Sequence, residues 1–280
     1  MNKISSVQNE PCLNCGGTIN GSFCNQCGQK ALDNIDRSMA TLLGGFFTNL
    51  FFLDNRFFLS IRMLVTRPGT MTVDFLNGQR KKFLPPVTLF LFANLIYFFL
   101  TPLTDYSLPL HDQVKWQPYS PTAKRLIANR LNERGISFAD YARTYNKASD
   151  NISKTVMILN IPMIALFVYL FTFRKRKFYF DSLIYSFHFF TVFLLSICVG
   201  DILSQLINPL VARIDIDLEG FWFILFLLAL PILYLIVSLR KLASMSWWLA
   251  ILGGFGLFVG LFLVQFVYRA IMFFLTFFTT

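Results

Sequence analysis

Residues Trp247–Phe266 read WWLAILGGFGLFVGLFLVQF, a run of 20 residues with no Asp, Glu, Lys or Arg. A helix of about 20 predominantly apolar residues crosses the roughly 30 Å hydrocarbon core of a bilayer, so this stretch predicts a membrane span. Four more apolar runs precede it, at about Pro86–Leu103, Thr155–Phe173, Leu183–Val199 and Phe221–Leu239. Pro85-Pro86 opens the first of them, where proline is tolerated because the first helical amide has no intrahelical partner. Pro162 and Pro231 fall inside spans and predict kinks. Beyond Arg269 the apolar character resumes through Phe273–Phe278, which predicts one long tilted helix or an interfacial tail.

The whole chain agrees with these runs. Of its 280 residues, 55% are hydrophobic and 14% charged, the mean hydropathy is +0.55, and there are 34 Phe. Soluble domains carry about 25% charged residues, and no core of this size buries so much apolar surface, so part of it faces lipid. The fold class expected is an all-α integral membrane helical bundle of about five transmembrane helices. A small N-terminal β-type zinc ribbon and an interfacial amphipathic helix are expected to precede it. The formal charge is +10, which in so apolar a chain reads as cation retained on the cytoplasmic face.

Residues 11–30 read PCLNCGGTINGSFCNQCGQK, with Cys12, Cys15, Cys24 and Cys27 in two C-x-x-C pairs. Each pair places two sulfurs on one side of a metal, and Gly16 and Gly28 permit the tight turn that aims backbone amides at them. Ile19 and Phe23 are the expected apolar core of the connecting hairpin. Four protein ligands make a closed, structural site, so Zn2+ is the expected ion, with disulfides or an iron site as the alternatives. No catalytic role follows. The chain opens on polar residues and cysteines, so no cleaved signal peptide is expected.

The domain division expected is a ribbon over 1–30, linker and interfacial helices over 31–85, and a transmembrane domain over 86–280. Leu42, Leu43, Phe46, Phe47, Leu50 and Phe51 recur at helical spacing, and Phe57, Phe58, Ile61, Leu64 and Val65 resume the stripe. Neither half is long enough to cross a bilayer, so both predict helix lying in the interface. Arg67-Pro68-Gly69 ends it, and a short helix Thr72–Asn77 is expected before Gly78. A polar extramembrane loop is expected over about 104–154. Its longest periodic piece is Thr122–Arg134, with Leu126, Ile127 and Leu131 on one face.

Arg80–Lys82, Arg174–Lys177 and Arg240-Lys241 fall on one side of a five-span chain, and the acidic loop carrying Asp215, Asp217 and Glu219 on the other. That is the positive-inside pattern with a cytoplasmic N-terminus, which also puts the thiols in a reducing compartment. The 104–154 loop carries eight Lys or Arg yet would lie outside, so an even number of spans is the competing topology.

These residues resemble a family of uncharacterised bacterial multi-pass membrane proteins, a domain of unknown function with an N-terminal four-cysteine ribbon. The resemblance rests on Cys12-Leu13-Asn14-Cys15-Gly16 and Phe23-Cys24-Asn25-Gln26-Cys27-Gly28-Gln29. It continues through Arg67-Pro68-Gly69, Gly78-Gln79-Arg80-Lys81 and Phe83-Leu84-Pro85-Pro86. It covers the first hundred residues well and the rest loosely. It implies a bacterial inner (cytoplasmic) membrane protein and carries no function. Relatives often show a Glu-His pair and a further His near the third span; here Asp181-Ser182 and His188 stand there, so most of that pattern is missing.

Asp181 and His188 lie seven residues apart on nearly one helix face, the spacing of a proton relay or half a metal site. Against this, Asp181 sits at a span edge where a carboxylate is easily solvated. Asn94 and Asn160 are amides within spans, read first as interhelical hydrogen-bond glue and second as a substrate path. Gly256 and Gly260 form a small-x-x-x-small motif that permits close helix approach and is a candidate homo-oligomer contact. Lone Cys198 reads as an apolar filler. The ribbon interior has no base, which argues against nucleic acid and for a protein partner or a plain structural knob.

No nucleophile elbow, phosphate-binding glycine loop or two-histidine metal helix is present, so nothing marks an enzyme. The leading expectation is a membrane-anchored adaptor or sensor in contact with lipid and, through its ribbon, with a protein partner. A small transporter or channel is the alternative, and a lipid-acting membrane enzyme the third reading.

Overall fold

The computed structural model describes residues 8–31, 55–100, 108–211 and 223–280. The stripe expected over Leu42–Phe51 and the acidic loop with Asp215, Asp217 and Glu219 lie outside the described residues.

The N-terminal unit is a two-stranded antiparallel sheet, β1 (Gln8–Pro11) and β2 (Thr18–Asn20), with Glu10 opposite Ile19 and Pro11 opposite Thr18. Its core is Cys12, Ile19 and Cys24, with Cys27 and Ala31 packed against them. Phe23, expected in that core, is instead 56% exposed. A unit this small is filled by its own sulfurs, and one aliphatic side chain completes it.

Helix α1 (Asn55–Thr66) buries Ser60 and Leu64, one turn apart, and exposes Phe58, Arg62 and Val65. Ser60 Oγ accepts the N–H of Leu84 at 3.0 Å, which ties α1 to the start of the bundle. Gly69, at φ 77°, turns the chain into α2 (Thr70–Leu76). A Cβ there would lie 2.7 Å from the carbonyl oxygen of Ser238, so only glycine lets the turn seat against that backbone. Gly78, at φ 99°, ends α2, and α3 (Pro86–Leu100) follows.

The segment expected as a polar loop is helical: α4 (Leu110–Trp116), α5 (Ser120–Arg134) and α6 (Phe138–Val156). Ala123 and Ile127 of α5 pack with Leu110, Tyr141 and Tyr145, and the cluster is completed by Phe273 and Phe277 from the end of the chain. Gly135, at φ 64°, caps α5. Gln113 lies at the centre of the unit, its Oε1 accepting the hydroxyls of Tyr119 and Tyr145. Burial pushes both tyrosines well above the ordinary phenol range, although the Arg269 charge works against it at Tyr119 and the Gln113 bond at Tyr145.

A short 3-10 turn, Met157–Leu159, joins α6 to α7 (Asn160–Thr172), and the two run at 57° to one another. Helix α8 (Tyr179–Val211) is the centre of the bundle, flanked by α3 and α7, with residues 181–191 buried on every side. A π-helical stretch, Phe223–Ala229, leads into α9 (Leu230–Ala243), and α10 (Trp247–Thr279) closes the fold.

Among the described residues, three helices are long and apolar enough to cross a membrane: Tyr179–Ile207, Leu225–Ala243 and Trp247–Thr279. The bent pair Phe138–Ser153 and Met157–Thr172 passes the same test as a broken span. The described part of α3 has 15 residues, about 22 Å of helix. At 33 residues α10 is one continuous helix of about 50 Å, longer than the bilayer core, and its last turns pack on α4–α6.

The glycines of α10 are filled from within the chain. A Cβ at Gly256 would lie 2.4 Å from the ring of Phe171, and one at Gly260 would lie 2.9 Å from that of Phe167. Gly254 meets Ile236 of α9 in the same way. The small-residue motif therefore serves close approach of α7 and α9 to α10, with Phe171 and Phe167 of this chain seated against Gly256 and Gly260.

Candidate functional site

The two C-x-x-C knuckles repeat one backbone pattern. The amide of Cys12 donates to the Gly17 carbonyl and that of Gly16 to Cys12; the amide of Cys24 donates to Gln29 and that of Gly28 to Cys24. Gly16 (φ 77°) and Gly28 (φ 67°) occupy the same left-handed position in each. This local closure brings the four sulfurs within 4.8 Å of one another. The Cys12–Cys27 and Cys15–Cys24 pairs are each 3.6 Å apart, so each pair takes one sulfur from either knuckle.

A tetrahedral ion with metal–sulfur bonds of about 2.3 Å has sulfur–sulfur edges of about 3.8 Å, so the cage has the size such an ion needs. Its electrostatics fit too. The amides of Cys27 and Gln26 point at the Cys24 sulfur and lower its thiol to about 7. At Cys15 the Gly17 amide acts in the same direction, but desolvation and the other three thiols outweigh it and push the thiol to about 12. Four sulfurs this close cannot all ionise beside one another, and a divalent cation among them removes that conflict. All four positions are protein, so an ion bound here would have no open position for substrate.

Gln29, two residues after the last ligand, is 4% exposed. Its Nε2 donates to the Gly78 carbonyl at 2.7 Å, and its Oε1 accepts the amides of Arg80 and Lys81 at 3.1 and 3.3 Å. The ribbon is thereby fastened to the turn between α2 and α3. Along the sequence Gln29 is only the last residue of the second knuckle motif; its partners lie 49 to 52 residues away and leave no local pattern.

Helix α2 reaches the second feature, a buried polar cluster at the same end of the bundle. Thr72 Oγ1 and His188 Nδ1 share a hydrogen bond of 2.8 Å, and His188 Nε2 is buried with no hydrogen-bond partner among the described residues. Tyr185, one turn before His188, donates its hydroxyl to Ser238 Oγ at 2.6 Å, because Ser238 gives its own proton to the Tyr234 carbonyl. Asp181, Tyr185 and His188 share one face of α8, where α2 and α9 pack. Asp181 is buried in the first turn of α8. Among the described residues, the ribbon cysteines form the one group of three or more ligating side chains close enough to share an ion.

The other intramembrane amides lie apart. Asn160 is buried at the start of α7 and donates to the Met157 carbonyl at 3.0 Å, while its Oδ1 has no hydrogen-bond partner among the described residues. The same holds for Asn94 Oδ1, on α3. Cys198 is buried in the main core.

Together these features define a largely helical protein with helices long and apolar enough to span a membrane and a four-cysteine cluster, of a size to bind a metal ion, docked on one end. The family described as "Protein of unknown function (DUF3667)" matches residues 54–98. That segment is α1, α2, the turn that receives Gln29, and most of α3. It supplies both the seat of the ribbon and the Thr72 partner of His188. No curated protein and no solved structure matches the chain.

Proposed function

We propose that this protein is a membrane-anchored adaptor or sensor of the bacterial inner membrane, with a cytoplasmic zinc ribbon that engages a protein partner. The observation that carries this reading is the docking of the ribbon. Gln29 holds it on the end of the bundle that carries Arg80–Lys82, while Leu13 and Phe23, each 56% exposed, stay free of the ribbon's own core. In this role those two side chains supply the apolar part of the contact with the partner. On this reading the chain crosses five times, through α3, α7, α8, α9 and α10, with the ribbon cytoplasmic and the α4–α6 unit outside.

A closed tetrahedral four-thiolate cage suits zinc or iron by geometry, and zinc is the reading adopted because it is the usual ion of a structural ribbon. Elemental analysis of purified protein should return one zinc per chain, lost in Cys24→Ser. The functional test is crosslinking and affinity capture from native cells, run with wild type, Leu13→Ser/Phe23→Ser and Cys12→Ser/Cys15→Ser. A partner held by wild type and lost in both variants supports an adaptor. The same partners in all three demote the ribbon to a structural knob.

A small transporter or channel is the second reading. It is favoured by the unsatisfied buried atoms His188 Nε2, Asn94 Oδ1 and Asn160 Oδ1. Solute flux into vesicles carrying the purified protein, abolished in His188→Leu, would support it; absence of flux across a solute panel would retire it.

A further inference from the structure

Two basic turns at one end of the bundle meet in space. One joins α7 to α8 (residues 173–178) and the other is the last turn of α9 with its link to α10 (residues 240–247), and Arg176 Nε donates to the Leu242 carbonyl at 3.1 Å between them. Around that contact Arg174, Lys175, Lys177, Arg240 and Lys241 are all exposed. Neither stretch contains an Asp or Glu, and none of the five cations makes an ion pair among the described residues. Like charges gathered without a counter-charge among the described residues repel one another, and an anion from outside the chain relieves that repulsion.

The aromatic residues set its height. Arg240 lies 4.3 Å over the ring of Trp247, and the neighbouring Trp248 is 78% exposed at the first turn of a membrane-crossing helix. Tryptophan at a span terminus sits at the level of lipid headgroups, apolar ring toward the chains and N–H toward water. The cations therefore stand where phosphodiesters are, beside a ring surface suited to glycerol and the first methylenes.

We propose that this pair of turns is a binding site for the headgroup of an anionic phospholipid. The phosphodiester takes the cations of both turns, and the acyl region lies along Trp247 and Trp248. Free phosphate shares the charge but has nothing to place against the indoles, so the occupant is lipid. The contact between the turns makes this one site, distinct from Lys81 and Lys82, an exposed basic pair next to the Gln29 seat.

The test uses the full chain in phosphatidylcholine nanodiscs with or without a minor fraction of phosphatidylglycerol. Native mass spectrometry reads the retained phosphatidylglycerol, and thermal unfolding reads its effect on stability. Lys175→Gln/Lys241→Gln removes one cation from each turn, and Lys81→Gln/Lys82→Gln removes the same charge elsewhere. At about fivefold per headgroup-level cation, the first variant should retain phosphatidylglycerol about 25-fold more weakly, and the second should change it less than about twofold. Equal losses in the two variants would overturn the proposal in favour of a diffuse positive field. So would failure of wild type to prefer phosphatidylglycerol. Inorganic phosphate raising the midpoint in phosphatidylcholine discs as much as the lipid does would make this a soluble-anion site instead, and would equally overturn it.

Discussion

Replacing Gln29 with alanine should undock the ribbon and leave its metal cage intact. The side chain supplies one donor to the Gly78 carbonyl and one acceptor shared by the amides of Arg80 and Lys81. Gly78 is buried, Arg80 is half-buried and Lys81 is exposed, so water reaches the two amides more readily than the carbonyl. The main loss is then one buried unsatisfied carbonyl, about 1–3 kcal/mol, with a smaller net loss for the two amides. A total of about 2–3 kcal/mol corresponds to roughly 30- to 150-fold in the docking equilibrium. Hydrogen exchange read by mass spectrometry measures it: the Arg80 and Lys81 amides should exchange faster by about that factor. The Gly16 and Gly28 amides, which close their own knuckles, should keep their protection as long as zinc stays bound. Unchanged exchange at Arg80 and Lys81 would refute the reasoning, because it would mean the ribbon is held elsewhere. Loss of protection at Gly16 and Gly28 together with zinc would mean that Gln29 supports the cage rather than the dock.

Gly69→Ala should lower the unfolding midpoint in detergent, at a cost of about 2–3 kcal/mol, since it combines a left-handed φ of 77° with a contact 2.7 Å from the Ser238 carbonyl. Gly135→Ala, at φ 64° with nothing within 4 Å, isolates the backbone part and should cost about 1 kcal/mol. Gly256→Ala should be destabilising and partly rescued by Phe171→Ala, because the two groups compete for one space; native mass spectrometry should show the same oligomeric state for both, and a shift in that state would restore the motif as a contact between copies. Tyr119 and Tyr145 should resist ionisation in an alkaline absorbance titration. Their folded phenols lie above the unfolded value of about 10, so the stability they contribute is complete below that pH and is lost as pH rises toward the folded values. Amides of α4–α6 should accordingly lose protection above pH of about 10, ahead of those in α8.

The helical part of the polar segment shows how far reading along the chain reaches. Leu126, Ile127 and Leu131 marked a helix face over 122–134, and α5 occupies 120–134 with Ile127 buried and the other two packed at the edge of the cluster. The helix on its C-terminal side escaped notice because its inward positions are Tyr141, Tyr145, Ser149 and Ser153. On a hydropathy reading that stripe is polar; Gln113 and Thr280 bonding the tyrosine hydroxyls, together with Phe273 and Phe277 packed in the same cluster, make it an inner face. Phe23 failed in the opposite direction, since an apolar residue between ligands implies a core only if there is a core to enter.

What the sequence determined by itself is whatever a short stretch decides alone. Each knuckle closes through bonds no more than five residues long, so C-x-x-C-G twice over carries its metal cage wherever the chain goes. Trp247–Phe266 and the core of α8 are apolar enough to favour lipid whatever they pack against. Tertiary structure alone decided which end of the bundle the ribbon sits on, what fills the α10 glycines, and that His188 meets Thr72 across 116 residues. It also joined the basic turns through Arg176 and Leu242, 66 residues apart. Those are pairings of single polar or small groups. They have no period along the chain, and their free energy exists only once folding has removed water from between them.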